Sequence, residues 1–160
     1  MATEKFPPKG LDPTDRRLLN LLQEDAKYNI KELAADLGLT KTPVYERIRR
    51  LEQEGYIERY VAIVNKKRVK AGITVFCTVT LDQQKVEYFN ELRNSIEAFP
   101  EVLEAYAVGG GTDFLLKVIV ADLDQYYAFA SRKLASLPHI GNISSSFVLD
   151  EVKYTTAINL

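Results

Sequence analysis

The side chains suited to covalent or metal chemistry are few and scattered. His139 is the only histidine and Cys77 the only cysteine. One follows Pro138 in a loop pattern and the other sits within a strand pattern. Together they make no metal-ligand spacing, and no His/Cys/Asp set for nucleophilic attack is visible. His139 reads as a surface or turn residue, and Cys77 as a buried inert thiol. Ser144, Ser145 and Ser146 read as plain strand residues, with a hydroxyl-lined site as the alternative. More is carried by the run Gly109-Gly110-Gly111-Thr112-Asp113. A phosphate loop needs Gly-Lys-Ser/Thr opening a helix, and here a strand pattern follows. The run is either a tight hairpin with Asp113 as its cap, or a nest whose bare backbone amides take a carboxylate while Asp113 faces an ammonium. In the second reading the neighbours Val108, Phe114 and Leu123 line an apolar side-chain pocket.

The other pattern is TKTPVYERIRRLEQE, from Thr40 to Glu54. Val44, Ile48 and Leu51 fall at i, i+4 and i+7, one narrow helical stripe. Lys41, Thr42, Arg49, Arg50 and Gln53 project elsewhere. Thr40 is placed to cap this helix, and Pro43 falls in its first turn, where no intrahelical donor is lost. Upstream, Asn29 with Glu32 forms a capping-box start for a helix whose apolar face is Ile30, Leu33, Ala34 and Leu37, stopped by Gly38. Two short helices joined by a glycine-containing turn, the second basic and polar outward, make a helix-turn-helix pattern. The plain alternative is a helical hairpin with a solvated charged face.

The elements that must position these groups follow in order. Residues 1–10, with Lys5, Pro7, Pro8 and Lys9, read as a loose arm. Asp12 and Pro13 open a first helix with Leu18, Leu19, Leu22 and Ala26 inward. After Gly55, YIERYVAIVN reads as a short β segment, and the basic run within residues 61–71 as a linker. From Gly72 the period changes to two, with Ile73, Val75, Cys77, Val79 and Leu81 on one face of a half-buried strand. A helix is expected over residues 84–99 with Val86, Phe89, Leu92, Ile96 and Phe99 inward. Two strands flank the glycine run. A second helix is expected over residues 122–137 with Leu123, Tyr127, Ala130, Leu134 and Leu137 inward, and a last strand over residues 143–155. This β-α-β-β-α-β order is ferredoxin-like. Its two helices cover one sheet face, and the other, with Thr74, Phe76 and Thr78, needs a partner, most simply a second copy.

Totals agree with this division. Of 160 residues 46% are hydrophobic, and mean hydropathy is −0.15, values of a globular chain. No apolar run reaches the ~20 residues of a membrane span, and MATEKFPPKG lacks a signal-peptide core. A single cysteine fits a reducing cytoplasm. Net charge is −1, but it is unevenly held. Residues 1–71 carry 15 Lys+Arg against 11 Asp+Glu, net +4, and residues 72–160 carry 6 against 11, net −5. Such asymmetry marks a nucleic-acid-binding half, and its modest size points to several copies acting together. A small enzyme on a ferredoxin-like fold is the competing class. It would need titratable residues gathered in a pocket, and it leaves the basic helix unexplained.

The segment LDPTDRRLLNLLQEDAKYNIKELAADLGLTKTPVYERIRRLEQEGYIERYVAIVN, followed by a β-α-β-β-α-β pattern containing GGGTDFLLK, resembles the Lrp/AsnC transcription regulators from Leu11 to about Tyr154. The resemblance implies an α+β chain: an N-terminal winged helix-turn-helix over residues 11–60, and a ferredoxin-like effector-binding and oligomerisation domain over residues 72–160. It also implies double-stranded DNA as partner, a small effector that is usually an amino acid, and self-assembly into dimers and often octamers, with no cofactor and no membrane. Carried over by position, Thr40, Lys41, Thr42, Tyr45, Arg49 and Arg50 are the DNA-reading residues. Val108, Gly110, Gly111, Thr112, Asp113 and Leu123 are the effector residues. Many members carry an acidic residue directly after the turn's glycine, where this chain has Gly111, which implies a different ligand or weaker binding. An architectural DNA binder without effector is the variant reading.

Overall fold

The structure, a computed structural model, describes residues 10–66, 68–69 and 72–160. The expected arm and the linker lysines Lys67 and Lys70 lie outside the described residues. Contacts divide the chain into two units. The first runs through Ile63 and takes in Lys153–Leu160; the second is Val64–Val152. The final eight residues thus group with the helical unit, not with the sheet that precedes them.

The first unit holds α1 (Pro13–Glu24), α2 (Ile30–Leu37) and α3 (Lys41–Gln53). Each start follows from its sequence. Asp12 and Asp15 form a reciprocal capping box on α1, with Pro13 inside the first turn, and Asn29 and Glu32 do the same on α2. Gly38, in the left-handed region, ends α2. Thr40 has N-cap backbone geometry, but its side chain makes no capping bond. Leu18, Leu19, Leu33, Ala34, Val44 and Leu51 form the core. Ala26 lies beyond the end of α1 and is exposed. The expected β segment over 56–65 is not formed: the amides of Tyr56 and Ile57 both return to the Leu51 carbonyl, and the remainder is irregular. Strand propensity needs a paired neighbour to act on, and no strand within the described residues pairs with it.

A buried ion cluster ties α3 to α1. Asp15 is fully buried. Its carboxylate accepts from Arg47 Nη1 at 2.7 Å, meets Arg50 Nη2 at 2.6 Å, and accepts from the Asp12 amide at 3.0 Å. Arg47 also reaches Asp12 at 2.6 Å. Burial pushes the Asp15 carboxyl up, but the bonds from Arg50, Asp12 and Arg47 outweigh it and hold it below its ordinary value.

The second unit is one antiparallel sheet in the order β2-β3-β1-β4, from β1 (Ile73–Leu81), β2 (Val102–Ala107), β3 (Phe114–Val120) and β4 (Ile140–Phe147). α4 (Val86–Glu97) and α5 (Leu123–Ala128), the latter running into a π-helical turn over Phe129–Leu134, connect the strands. The ferredoxin-like order is as expected. Val75, Cys77, Val79, Phe114, Leu116 and Val118 lie under the helices. Register places Phe76 and Thr78 of β1, Ser144 and Ser146 of β4, and Lys117 of β3 on the uncovered face. Gly72 opens β1 at φ +52, and a Cβ there would stand 2.1 Å from the Val120 and Ala121 carbonyl oxygens. That residue serves close approach of backbone rather than hinge freedom.

Four expectations are corrected here. α4 begins at Val86, which is 74% exposed, so the inward stripe starts at Phe89. In α5 the inward residue is Tyr126, with Leu123 and Tyr127 exposed. The wide turn, in which the Ala135 amide reaches the Ala130 carbonyl, re-phases the helix, and the Tyr126 hydroxyl meets Cys77 Sγ at 2.8 Å and the Ser145 hydroxyl. β4 ends at Phe147, not at 155. The linker and domain limits at 61–71 and 72–160 give way to a chain that crosses between the units after Ile63 and again after Val152.

Asp15→Asn leaves Arg47 and Arg50 facing a neutral side chain, and breaking such a buried pair costs about 3 kcal/mol. The expected result is loss of roughly 10 °C or more in the melting of the helical unit. Because the Asp15 pKa is lowered by folding, its contribution is whole above the unfolded carboxylate value, about 3.9, and is lost as pH falls through the lower folded value. Circular dichroism melts from pH 7 to pH 3 should show that loss in the wild type and a smaller one in Asp15→Asn, where Asp12, also held low by its bond from Arg47, still titrates.

Candidate functional site

The outer face of α3 is set by which of its arginines are already used. Arg47 and Arg50 turn toward α1 and hold Asp15, and Arg50 also lies 3.9 Å from Glu54. Lys41, Thr42, Tyr45 and Arg49 are exposed, with Tyr45 at 57%. Thr42, Tyr45 and Arg49 follow at i, i+3 and i+7, one face of the helix. The uncapped first turn adds orphan N–H groups at the positive end of the helix dipole, where a phosphate is favoured. Of the expected reading residues, the structure therefore gathers Thr40, Lys41, Thr42, Tyr45 and Arg49, and separates Arg50. The Asp15 carboxylate, accepting from the Arg50 guanidinium, holds it charged and raises its pKa. It is half-buried and committed to the fold. Periodicity alone cannot make this separation, because Arg50's partner lies on another helix. The anchor Arg47 escapes notice for the same reason.

In the second unit the glycine run is the turn between β2 and β3. Gly109, Gly110 and Gly111 are exposed, and a Cβ on any of them would meet nothing within 4 Å. Gly110 alone needs its freedom, at φ +123. The turn is held at its base. The Val108 amide donates to the Asp113 carbonyl, the Asp113 amide to the Val79 carbonyl, and the Thr112 hydroxyl to the Val79 carbonyl at 3.0 Å. The Asp113 carboxylate is buried and turned inward. Oδ2 accepts from the Leu81 amide at 2.8 Å and Oδ1 from Gln84 Nε2 at 3.1 Å. The ammonium-facing role expected of Asp113 does not fit this geometry, since both oxygens clamp the turn to the end of β1. Leu123 is corrected too. It follows β3 at the end away from the turn, and seven extended residues span about 23 Å, so within one chain Leu123 lines nothing beside Gly110.

The register instead brings other residues to the turn's end of the sheet. Phe114 pairs with Val79 and Ala107, and Ile140 pairs with Leu81. The β1–α4 loop and the start of β4 therefore belong to this end. Asp82 donates its amide to the His139 carbonyl. His139, at φ +65, stacks on Tyr88 with ring centroids 3.3 Å apart, and Lys85 Nζ lies 5.0 Å from the Tyr88 ring. Gln84, Lys85, Tyr88 and His139 thus stand at this end of the sheet, where the ferredoxin-like order itself places the end of β1 beside the β2–β3 turn. Ser144 and Ser146 lie on the uncovered face and Ser145 under the helices, so the three do not share a site. Among the described residues no group of three or more His, Cys, Asp or Glu is placed to hold a metal, and no helix is long and apolar enough to cross a membrane.

Comparison with known proteins adds the context. Residues 11–58 match the family model for winged helix-turn-helix DNA-binding, and residues 74–158 match that for the Lrp/AsnC ligand binding domain. The chain is 34% identical to the leucine-responsive regulatory protein of Escherichia coli over 156 residues, covering 98% of this chain and 95% of that protein. It superposes with a TM-score of 0.87 on an AsnC family transcriptional regulator from Agrobacterium tumefaciens, 36% identical, covering 92% of this chain and 96% of that one. A transcriptional regulator from Neisseria meningitidis in complex with L-Met is 31% identical, with a TM-score of 0.89 and coverage of 93% and 96%.

The geometry at Asp113 makes a direct test. Asp113→Ala strips the Leu81 amide and Gln84 of their acceptor in a buried setting, a loss of about 1–3 kcal/mol. The variant should lower the melting temperature of the sheet unit and speed exchange of the Leu81 amide. Unchanged exchange at Leu81 would return Asp113 to the pool of ligand groups.

Proposed function

The chain belongs to the Lrp/AsnC family of DNA-binding transcription regulators with an effector-binding domain, and from that premise we propose how its residues divide the work. DNA is read by the exposed face of α3, with Lys41, Thr42, Tyr45 and Arg49 facing the duplex and the first-turn amides near Thr40 on phosphate. The observation that carries this is the division of arginines. Arg47 and Arg50 fix the pose of α3 against Asp15, while Arg49 stays exposed on the face with Tyr45. Such a reading helix enters the major groove by its N-terminal residues.

The effector is a small amino acid. It sits at the glycine turn, its carboxylate on the amides of Gly110 and Gly111, with Val108 and Thr112 at the base. The support is an open turn without side chains, rigidly clamped to β1, together with the L-Met bound by the Neisseria relative. With Asp113 occupied, the exposed carboxylate nearest in topology to the ammonium is Asp82, at the same end of the sheet. Assembly runs through the uncovered sheet face as a two-fold dimer, with higher assembly up to the octamer. The chain works in the cytoplasm, where the chromosome and free amino acids meet.

Two measurements test this division. Arg49→Ala should leave the melting temperature unchanged and lower the slope of log K against log salt by about 0.9 for one lost phosphate contact, or cost about 1–3 kcal/mol and relax sequence preference if the contact is to a base. Arg50→Ala should destabilise the helical unit. Equal melting and equal DNA affinity in both variants would overturn the assignment. For the effector, calorimetric titration with L-methionine, L-leucine and the other amino acids should show binding to wild type and none to Gly111→Ala, where the backbone tolerates a side chain and only access is lost. Tight binding to Gly111→Ala would move the ligand elsewhere.

A further inference from the structure

Chain termini are poorly ordered unless something ties them down, and the tie on this C-terminus is specific. Gln23, half-buried near the end of α1, donates from Nε2 to the Ile158 carbonyl at 3.0 Å, and its Oε1 accepts from the Ile158 amide at 2.7 Å. One side-chain amide thus satisfies both backbone groups of one residue, as a neighbouring strand would. Nearby, the Ala157 amide donates to the Thr155 hydroxyl. Apolar burial adds little at Ile158, which is 69% exposed, and more at Leu160, which is 37% exposed. The tail bounds a cavity of about 600 Å³ in the helical unit, with Leu19, Leu22, Ile57 and Ile63 among its other walls. Ile63 closes the segment by which the chain leaves that unit, so tail and exit segment border one space.

We propose that Gln23 is a positioning residue that latches the C-terminal tail, residues 156–160, into the DNA-binding unit, so that DNA affinity depends on residues that follow the effector unit in the chain. The latch presupposes the DNA-binding role of that unit. Because hydrogen bonds hold the tail over a cavity it does not fill, loss of the Gln23 amide releases the tail. The exit segment then loses one wall of its surroundings, although no core residue has changed.

The test is a double-mutant cycle in the full chain. Gln23→Ala removes the latch from one side. Ile158→Pro removes the amide donor from the other, because proline has no N–H. Each should weaken binding to a duplex selected from randomised DNA by the wild type about tenfold, the equivalent of one to two net hydrogen bonds. The pair together should cost no more than either alone. Deleting residues 156–160 should match them, Ile158→Leu should behave as wild type, and the Ile158 amide should lose its exchange protection in Gln23→Ala while Leu81 keeps its own. Wild-type affinity in Gln23→Ala, or an equal Gln23→Ala loss in the chain lacking residues 156–160, would overturn the latch. If the wild type selects no duplex, the DNA-binding role fails instead, and the Ile158 exchange alone decides whether the latch exists.

Discussion

A carboxylate taken out of water costs several kcal/mol unless donors replace its hydration, and both functional elements of this chain are held by paying attention to that constraint. Asp15 and Asp113 are the buried charged residues among those described. Asp15 gathers Arg47, Arg50 and the Asp12 amide and so fixes α3 on α1. Asp113 gathers the Leu81 amide and Gln84 and so fixes the glycine turn on β1. In each case an exposed element of little intrinsic rigidity, a polar helix in one unit and a bare turn in the other, takes its pose from an acid beneath it. The acid itself is buried. It restricts where the exposed atoms stand, which is what recognition requires of a scaffold.

Much of this was legible in the sequence, wherever the signal is local. Capping pairs at Asp12/Asp15 and Asn29/Glu32, the stop at Gly38, and the alternation over Ile73–Leu81 all act within a few residues. What was not legible depends on a partner far along the chain. Arg49 and Arg50 are adjacent and chemically identical, and only Asp15, more than thirty residues away, distinguishes them. Tyr126 and Tyr127 are likewise adjacent, and the inward one is chosen by Cys77 and Ser145 on two strands. The strand expected over 56–65 had the right residue types and no neighbour to pair with.

The glycine turn shows the same limit in another form. Three glycines and an aspartate suggest a zwitterion site by composition, each residue supplying one sign. Geometry divides them, because a carboxylate already accepting from a buried amide is poorly free to turn outward, and moving it would leave that amide unsatisfied. The glycines keep the anion-binding half of the proposal. In the proposed site the cation-binding half passes to groups brought alongside by strand register, and register is a property of the sheet as a whole.

The anchor also bears on the electrostatics of the basic half. Residues 1–71 hold 15 Lys+Arg and 11 Asp+Glu. The cluster of Arg47 and Arg50 with Asp12, Asp15 and Glu54 holds two of the positive and three of the negative charges, a net of −1 that is already counted within the +4. Four of the fifteen positive charges fall at residues 66–70, after the first segment of the helical unit ends at Ile63. A net of about four charges supports only a few phosphate contacts per chain, and affinity falls by about 0.9 log units per contact for each tenfold rise in salt. Two copies brought together by the uncovered sheet face would double the contacts and, if both reading helices engage at once, convert the second encounter into an intramolecular one. The modest charge of the basic half and the uncovered sheet face thus both support the proposed two-fold assembly.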